Sequence, residues 1–400
     1  MSNSWKTAIV GTLIHTVLGT VYAWSYFQTP IMQLTDWNNT QTTMAFSLAI
    51  FSLGLTASWA GRRINVYSPQ RLTIIGGLLF GIGYLIASYA LEMNLLVLFY
   101  IGFGLVSGCG LGLAYVTPVA VVSRWFSKHQ GLATGMVVMG FGLGAFVMSK
   151  LVAPYLFDLT GNNVSVSFRY IGFVFLAIVP LLGFFLKFPE NTKVSVASVV
   201  AFHPFRDRTF LIFWFVFTLN IIAGMIFLSF QSPLYQELLQ RKSAETLDVV
   251  TLTSAGATLI AISAVANGIG RLFWAALSDK IGRVAAFRAL IGVEILAFIG
   301  LLITDNSYLF AALVCLILLG YGGGFGILPS LVKDHFGAER MPQVYGLMLT
   351  GWSIGGLVGP QLTALLKDNF GTEAGTYAFL LGLGVTVIAL SCLFLKKKPS

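Results

Sequence analysis

The chain has 400 residues, is 56% hydrophobic and only 10% charged, and carries a formal net charge of +9 with a mean hydropathy of +0.84. A soluble globular protein carries about 25% charged residues, so this composition excludes that class and points to an integral membrane protein. Runs of about 18 or more nearly uncharged residues recur along the whole length, as membrane-spanning helices require, and the short alternating segments of an outer-membrane barrel are absent.

Taken in order, the apolar runs predict twelve spans at roughly 7–29, 42–60, 72–90, 94–123, 130–152, 168–189, 209–235, 251–278, 284–304, 307–332, 342–366 and 373–395. The first run is too long and too glycine-interrupted to read as a cleavable signal peptide. With the N-terminus in the cytoplasm, the cytoplasmic segments hold 18 of the 24 Lys and Arg residues, including Lys6, Arg62, Arg63, Arg71, Arg124, Lys128, Lys193, Lys280, Arg283 and Lys396 to Lys398. That excess predicts both termini inside. The net charge is therefore a topology signal rather than a nucleic-acid footprint.

Cys109, Cys315 and Cys392 each lie inside an apolar run with no paired spacing and no neighbouring histidines, so neither a disulfide nor a metal site is expected. No P-loop sequence is present, so ATP does not drive the protein directly and no cofactor is implied. Gly140, Gly142 and Gly144 sit within an apolar run and suit close helix packing rather than phosphate binding.

The one long polar connection, Pro189 to Arg208, divides the spans six and six. The expected organisation is an N-terminal bundle (1–189), a cytoplasmic linker (190–208) and a C-terminal bundle (209–400). Internal similarity supports the division: Gly112 to Pro118 resembles Gly323 to Pro329, and Gly131 to Gly144 resembles Gly346 to Gly359. Both matches set spans 4 and 5 against spans 10 and 11, a repeat of the kind from which secondary transporters build a midplane site.

Within span 8, Arg271 stands about two turns from the nearest other charge, Asp279, or roughly 12 Å deeper at about 1.5 Å per residue. An arginine does not discharge by losing its proton. Its insertion at mid-bilayer costs at least roughly 2.5–3.5 kcal/mol, so such residues face a watery cavity or a partner. Arg271 is thus a candidate fixed charge for an anion, against the plainer possibility of a helix-end arginine reaching the headgroups. Asn267, four residues earlier, shares its helix face. His15, near mid-depth in span 1, is a candidate for proton coupling because its ordinary pKa lies near neutrality. Glu294 lies deep in span 9 and Lys150 near the outer end of span 5, where it either snorkels or draws anions to the mouth.

Between spans 8 and 9, Ala275, Asp279, Lys280, Gly282 and Arg283 form a loop that resembles the cytoplasmic signature of the major facilitator superfamily. The matching first-half loop, Gly61 to Ser68, keeps the leading glycine but has Asn65 in place of the acid. More narrowly, Leu18 to Ser25 in span 1 and Asn267 to Arg271 in span 8 resemble the oxalate/formate antiporter and monocarboxylate transporter branch. The resemblance implies an all-α membrane protein of twelve transmembrane helices in two pseudo-symmetric six-helix bundles, with Asp279, Lys280 and Arg283 as a gating loop. It also implies that spans 1, 4, 7 and 10 line a central path with faces of 2, 5, 8 and 11, while 3, 6, 9 and 12 mostly face lipid, which sets Glu294 away from the path in a structural or neutral role.

On that architecture Arg271 binds substrate, with Asn267, Tyr22, Tyr115, Tyr321, Phe325 and Trp352 as the other lining candidates. A tyrosine offers an apolar wall and a hydroxyl that needs a partner, which suits a small organic acid. Where the monocarboxylate branch often has an acid, this chain has Asn267; where oxalate exchangers carry a second cation, it has Trp352. One cavity cation favours one carboxylate, because a second would be left unpaired in a desolvated site. The expected function is secondary active transport of a small monocarboxylate such as lactate or pyruvate with a proton. An anion exchanger that takes a counter-anion is the alternative. A sensor that binds without transporting is disfavoured by tails and a central loop too short for signalling domains. The expected setting is a bacterial inner membrane, and the expected state is a monomer.

Overall fold

The computed structural model describes residues 3–64, 66–126, 130–189, 206–243, 246–337 and 340–394. Every regular element among them is helical. In chain order they are α1 (Asn3–Thr35), α2 (Asn39–Arg63), α3 (Pro69–Glu92), α4 (Leu96–Trp125), α5 (130–159), α6 (Val164–Gly183), α7 (Arg208–Lys242), α8 (Val249–Ile281), α9 (Arg283–Ile303), α10 (Ser307–Phe336), α11 (341–370) and α12 (Ala374–Phe394). The twelve expected spans are all present, in two six-helix bundles. Asn65, Lys128, Lys193, Lys396 to Lys398 and most of the expected linker lie outside the described residues.

The helices stop where local chemistry stops them, not where hydrophobicity fades. Asn38 caps α2 by accepting from Gln41 N at 2.8 Å, and Gln41 answers by accepting from Asn38 N at 3.1 Å, a reciprocal cap that satisfies amides left free at a helix start. Asn163, Asp207, Asp248 and Asn306 cap α6, α7, α8 and α10 from one side, each accepting from a first-turn amide. α1 runs to Thr35, where Asp36 turns left-handed, and α7 to Lys242, beyond the apolar limits near 29 and 235, while α6 occupies 164–183 rather than 168–189. Gly371, at φ +52°, separates α11 from α12 inside one nearly continuous helical stretch, among Lys367, Asp368, Asn369 and Glu373.

Glycine contacts set the rotation of each helix about its axis. A Cβ on Gly140 or Gly144 of α5 would clash with the carbonyl oxygens of Thr12 or Thr16 in α1. On α11, Gly355 and Gly359 meet Ile221, Thr218 O, Ile222 O and Met225 of α7 in the same way. The sequence repeat therefore has a packing counterpart, with α5 on α1 and α11 on α7 through equivalent glycines. Small residues let backbones approach closely where lipid supplies no hydrophobic drive for helices to associate.

Two seams join the bundles, α2 against α11 and α5 against α8, with contacts spread along both. Along the first, Gly54 packs on Leu349 and Ser353, Gly356 on Ile50, and Asn39 on Asp368. Along the second, Gly135 meets Leu272, Gly142 meets Gly268, and Lys150 Nζ donates to Thr258 Oγ1 at 2.6 Å. Lys150 is thus engaged across the seam rather than extended to the headgroups.

Glu294 does not face lipid; it is 0% exposed, turned inward from α9. A carboxyl next to hydrocarbon has no hydrogen-bond donor, and the interior of the bundle supplies Asn220.

Candidate functional site

Arg271 is reached through α8, on which Ser263, Asn267 and Arg271 recur every four residues and so share one face. α10 lies close against this helix because Gly322 and Gly326 leave room for the carbonyl oxygens of Asn267 and Arg271; a Cβ at either glycine would clash. The guanidinium is 1% exposed, so it does not reach the headgroups, and the helix-end explanation falls. Its Nε donates to Asn267 Oδ1 at 3.4 Å, and the ring centres of Phe325 and Phe141 lie 4.9 and 5.7 Å from its central carbon. Aromatic faces at such distances offer a cation weak electrostatic support, about 0.5–2 kcal/mol. Among the described residues no carboxylate pairs with it.

The predicted lining residues converge on this charge from both bundles. Trp352, fully buried in α11, stands three residues after a break in the helix at Leu349. Its ring packs against Phe325 at 4.8 Å, Tyr115 at 5.2 Å, Phe141 at 5.9 Å and Tyr22 at 6.5 Å. Tyr22 lies in a tightened turn (Thr20–Ala23) that interrupts α1, and its hydroxyl is 2.6 Å from that of Tyr321. Such mid-helix irregularities often mark functional positions. Tyr115 of α4 lies next to the guanidinium.

His15 joins the same cluster. Its Nε2 is 2.8 Å from the carbonyl oxygen of Tyr115, and since a carbonyl only accepts, Nε2 carries the hydrogen and Nδ1 presents a lone pair. The imidazole stacks on the Tyr115 ring at 4.8 Å.

The hydrogen-bonding character of the cluster is lopsided. Arg271 Nη1 and Nη2, Asn267 Nδ2, Trp352 Nε1 and the Tyr115 hydroxyl are all buried without a partner among the described residues. Each of these groups can donate; the Tyr115 hydroxyl can also accept, and His15 Nδ1, equally without a partner among the described residues, accepts. Buried donors are ordinarily satisfied, and each unsatisfied one costs about 1–3 kcal/mol. A carboxylate, which only accepts, is the complement of such a set.

Two parts of the site escaped sequence reading. Phe141, a single bulky ring between Gly140 and Gly142, stacks edge-on to Tyr22, Tyr115 and Trp352 and touches His15. Its placement among glycines was the available signal. One helical turn along α8 from Asn267, Ser263 Oγ donates to Gln231 Oε1 of α7 at 2.6 Å. Between this pair and Tyr22 is a gap walled by Gly142, Leu228 and Ala264, too narrow for a water molecule.

The gating-loop residues are far less buried. Arg283 meets Asp279 at 2.5 Å, Ser278 Oγ at 2.6 Å and Asp334 of α10 at 3.0 Å, whereas Lys280 is exposed. The network ties the start of α9 to the ends of α8 and α10; such exposed pairs add little stability by themselves. Among the described residues no group of three or more His, Cys, Asp or Glu could hold a metal ion.

Comparison with known proteins agrees with this architecture. Among curated relatives, the uncharacterised transporter YhjX of Escherichia coli (strain K12) is 25% identical over 88% of this chain and 86% of its own. The oxalate:formate antiporter of Oxalobacter formigenes is 23% identical over 98% and 91%, and human monocarboxylate transporter 11 is 24% identical over 84% and 71%. Among solved structures, a mutant of the nucleoside transporter NupG superposes with a TM-score of 0.72 at 15% identity, covering 98% of this chain and 99% of that one. A bacterial homologue of the human lysosomal transporter Spinster gives 0.67 at 15% identity over 99% and 95%. The family model described as Major Facilitator Superfamily matches residues 8–360 and 244–400, and with twelve helices in two bundles around a buried cation, the chain belongs to that superfamily.

Proposed function

We propose that this transporter carries a small monocarboxylate, of the size of lactate or pyruvate, together with a proton, by alternating access. The observation that carries the reading is the donor-rich, acceptor-poor cluster around Arg271. The guanidinium fork receives the carboxylate through two parallel hydrogen bonds, and Asn267 Nδ2, Trp352 Nε1 and Tyr115 Oη surround it. Tyr22, Tyr321 and Phe325 form the remaining wall. Burial strengthens each of these bonds relative to water. Trp352, where a second cation would sit in an oxalate exchanger, favours one carboxylate over two.

The two bundles, 1–189 and 209–400, rock about the site on the linker between them, opening one end of the α2–α11 and α5–α8 seams at a time. Asp279, Lys280 and Arg283 brace the cytoplasmic end of the second bundle. Lys and Arg bias places both termini in the cytoplasm, and the chain acts as a monomer in a bacterial inner membrane. Within the cavity wall, His15 is the protonatable ring, with Nδ1 available.

Exchange against a counter-anion is the second reading, favoured by the similarity to the oxalate:formate antiporter across 98% of the chain. Purified protein in liposomes separates the two. Symport accumulates labelled lactate in empty vesicles under an inward proton gradient. Exchange takes up label only after the lumen is loaded with a counter-anion, and that result overturns the symport reading.

A further inference from the structure

Arg271 and Glu294, 1% and 0% exposed, are the two most deeply buried charged side chains among the described residues, one of each sign. They do not pair with each other. Glu294 Oε1 accepts from Asn220 Nδ2 of α7 at 2.8 Å. Glu294 Oε2 and Asn220 Oδ1 have no partner among the described residues. α10 presses on this pair through two glycines: a Cβ on Gly320 would fall 2.5 Å from Glu294 Oε1, and one on Gly324 would clash with Asn220 Oδ1. Tyr321, between those glycines, turns to the other side and closes on Tyr22.

The surroundings offer Glu294 no counter-charge. α7 faces it with Asn220 and α10 with Gly320. On α8, Arg271 is engaged with Asn267 and two aromatic faces, and α12 contains no Asp, Glu, Lys, Arg or His. Two oxygens left without donors in one polar pair are what a single proton would supply, since only the protonated carboxyl donates. An ionised carboxylate enclosed without a partner is costly and tends to neutralise.

We propose that Glu294 takes up and releases the co-transported proton. The inference rests on the symport reading above and names the group that couples it. The charge balance is simple. Without substrate, Arg271 is +1 and ionised Glu294 is −1. With substrate, the carboxylate brings −1 to Arg271, and a proton from the same compartment binds a Glu294 oxygen, removing its −1. The summed charge of the closed core is zero in both cases. A proton on His15, with Glu294 neutral throughout, would instead leave the core at +1 in both. Glu294 also bears on the same stretch of α10 that positions Tyr321, which links its protonation to closure of the site.

The test is Glu294→Gln, which holds the position neutral and close in shape. In liposomes the variant is expected to exchange internal for external lactate but to lose accumulation driven by a proton gradient. Calorimetry of lactate binding in two buffers of different ionisation enthalpy gives a second readout: proton uptake on binding, present in the parent and lost in the variant. Gradient-driven accumulation by Glu294→Gln at the parent's level overturns the assignment. So does proton uptake lost only in His15→Gln, and so does a folded Glu294→Gln that neither binds nor exchanges, which would mark a structural clamp. If Glu294→Gln does not fold, Glu294→Asp must shift the pH of half-maximal uptake, and an unchanged profile overturns the proposal. A parent that exchanges but never accumulates sinks the symport reading itself, whatever Glu294 does.

Discussion

Asp368, near the end of α11, caps the start of α2 across the seam between the bundles. One carboxylate oxygen accepts from Asn39 N at 3.0 Å and Asn39 Nδ2 at 2.9 Å, and the other accepts from Thr40 N at 2.8 Å. A negative charge at a helix N-terminus meets unpaired amides and the positive end of the helix dipole. The bond set therefore holds the two bundles together at the end remote from the termini.

Asp368→Asn keeps the shape but removes the charge and one acceptor, at a cost of about 1 kcal/mol on the scale of helix-terminus charges. That corresponds to roughly fivefold more opening at this end. Ser47, fully buried along the same seam, reports it. With Cys109, Cys315 and Cys392 replaced by serine, Ser47→Cys should react several-fold faster with a membrane-impermeant maleimide when Asp368→Asn is present. An equal rate in both backgrounds would show that the cap has no part in closure.

For Arg271, the decisive swap is Arg271→Lys. Lysine retains the charge but loses the planar fork that meets both carboxylate oxygens. Losing a charge-assisted hydrogen bond costs about 1.5–3 kcal/mol, so lactate affinity should drop roughly ten- to hundredfold while the protein still inserts and folds. Calorimetry on monodisperse variant measures this. Affinity within about twofold of the parent, ~0.4 kcal/mol, would remove Arg271 from the binding site.

Trp352→Lys tests the substrate's charge. The indole is fully buried with rings of both bundles around it and its Nε1 unpartnered. A second cation there should move preference from monocarboxylates toward dicarboxylates, with oxalate binding improved by about tenfold, ~1.4 kcal/mol, and lactate weakened. A substrate profile identical to the parent's would place residue 352 outside the substrate's reach.

What the sequence by itself determined is what a bilayer reads residue by residue. Each apolar run longer than the hydrocarbon thickness becomes a helix, because backbone polar groups have no other partner in lipid, and the distribution of Lys and Arg predicts its direction. One arginine inside such a run is conspicuous for the same reason, so Arg271 and its helix neighbour Asn267 were legible without coordinates. Only the tertiary structure decided which way each helix is turned. That rotation depends on glycines meeting carbonyl groups on distant helices, as Gly144 meets Thr16 and Gly326 meets Arg271, and a periodicity shared by all faces of an apolar helix does not encode it. Hence Phe141 entered the site unannounced, His15 came to rest on Tyr115, and Glu294, on a helix expected to face mostly lipid, turned inward to Asn220. Whether a buried polar atom is satisfied is a property of the whole packed bundle, and that property singles out both the cluster around Arg271 and the lone carboxyl of Glu294.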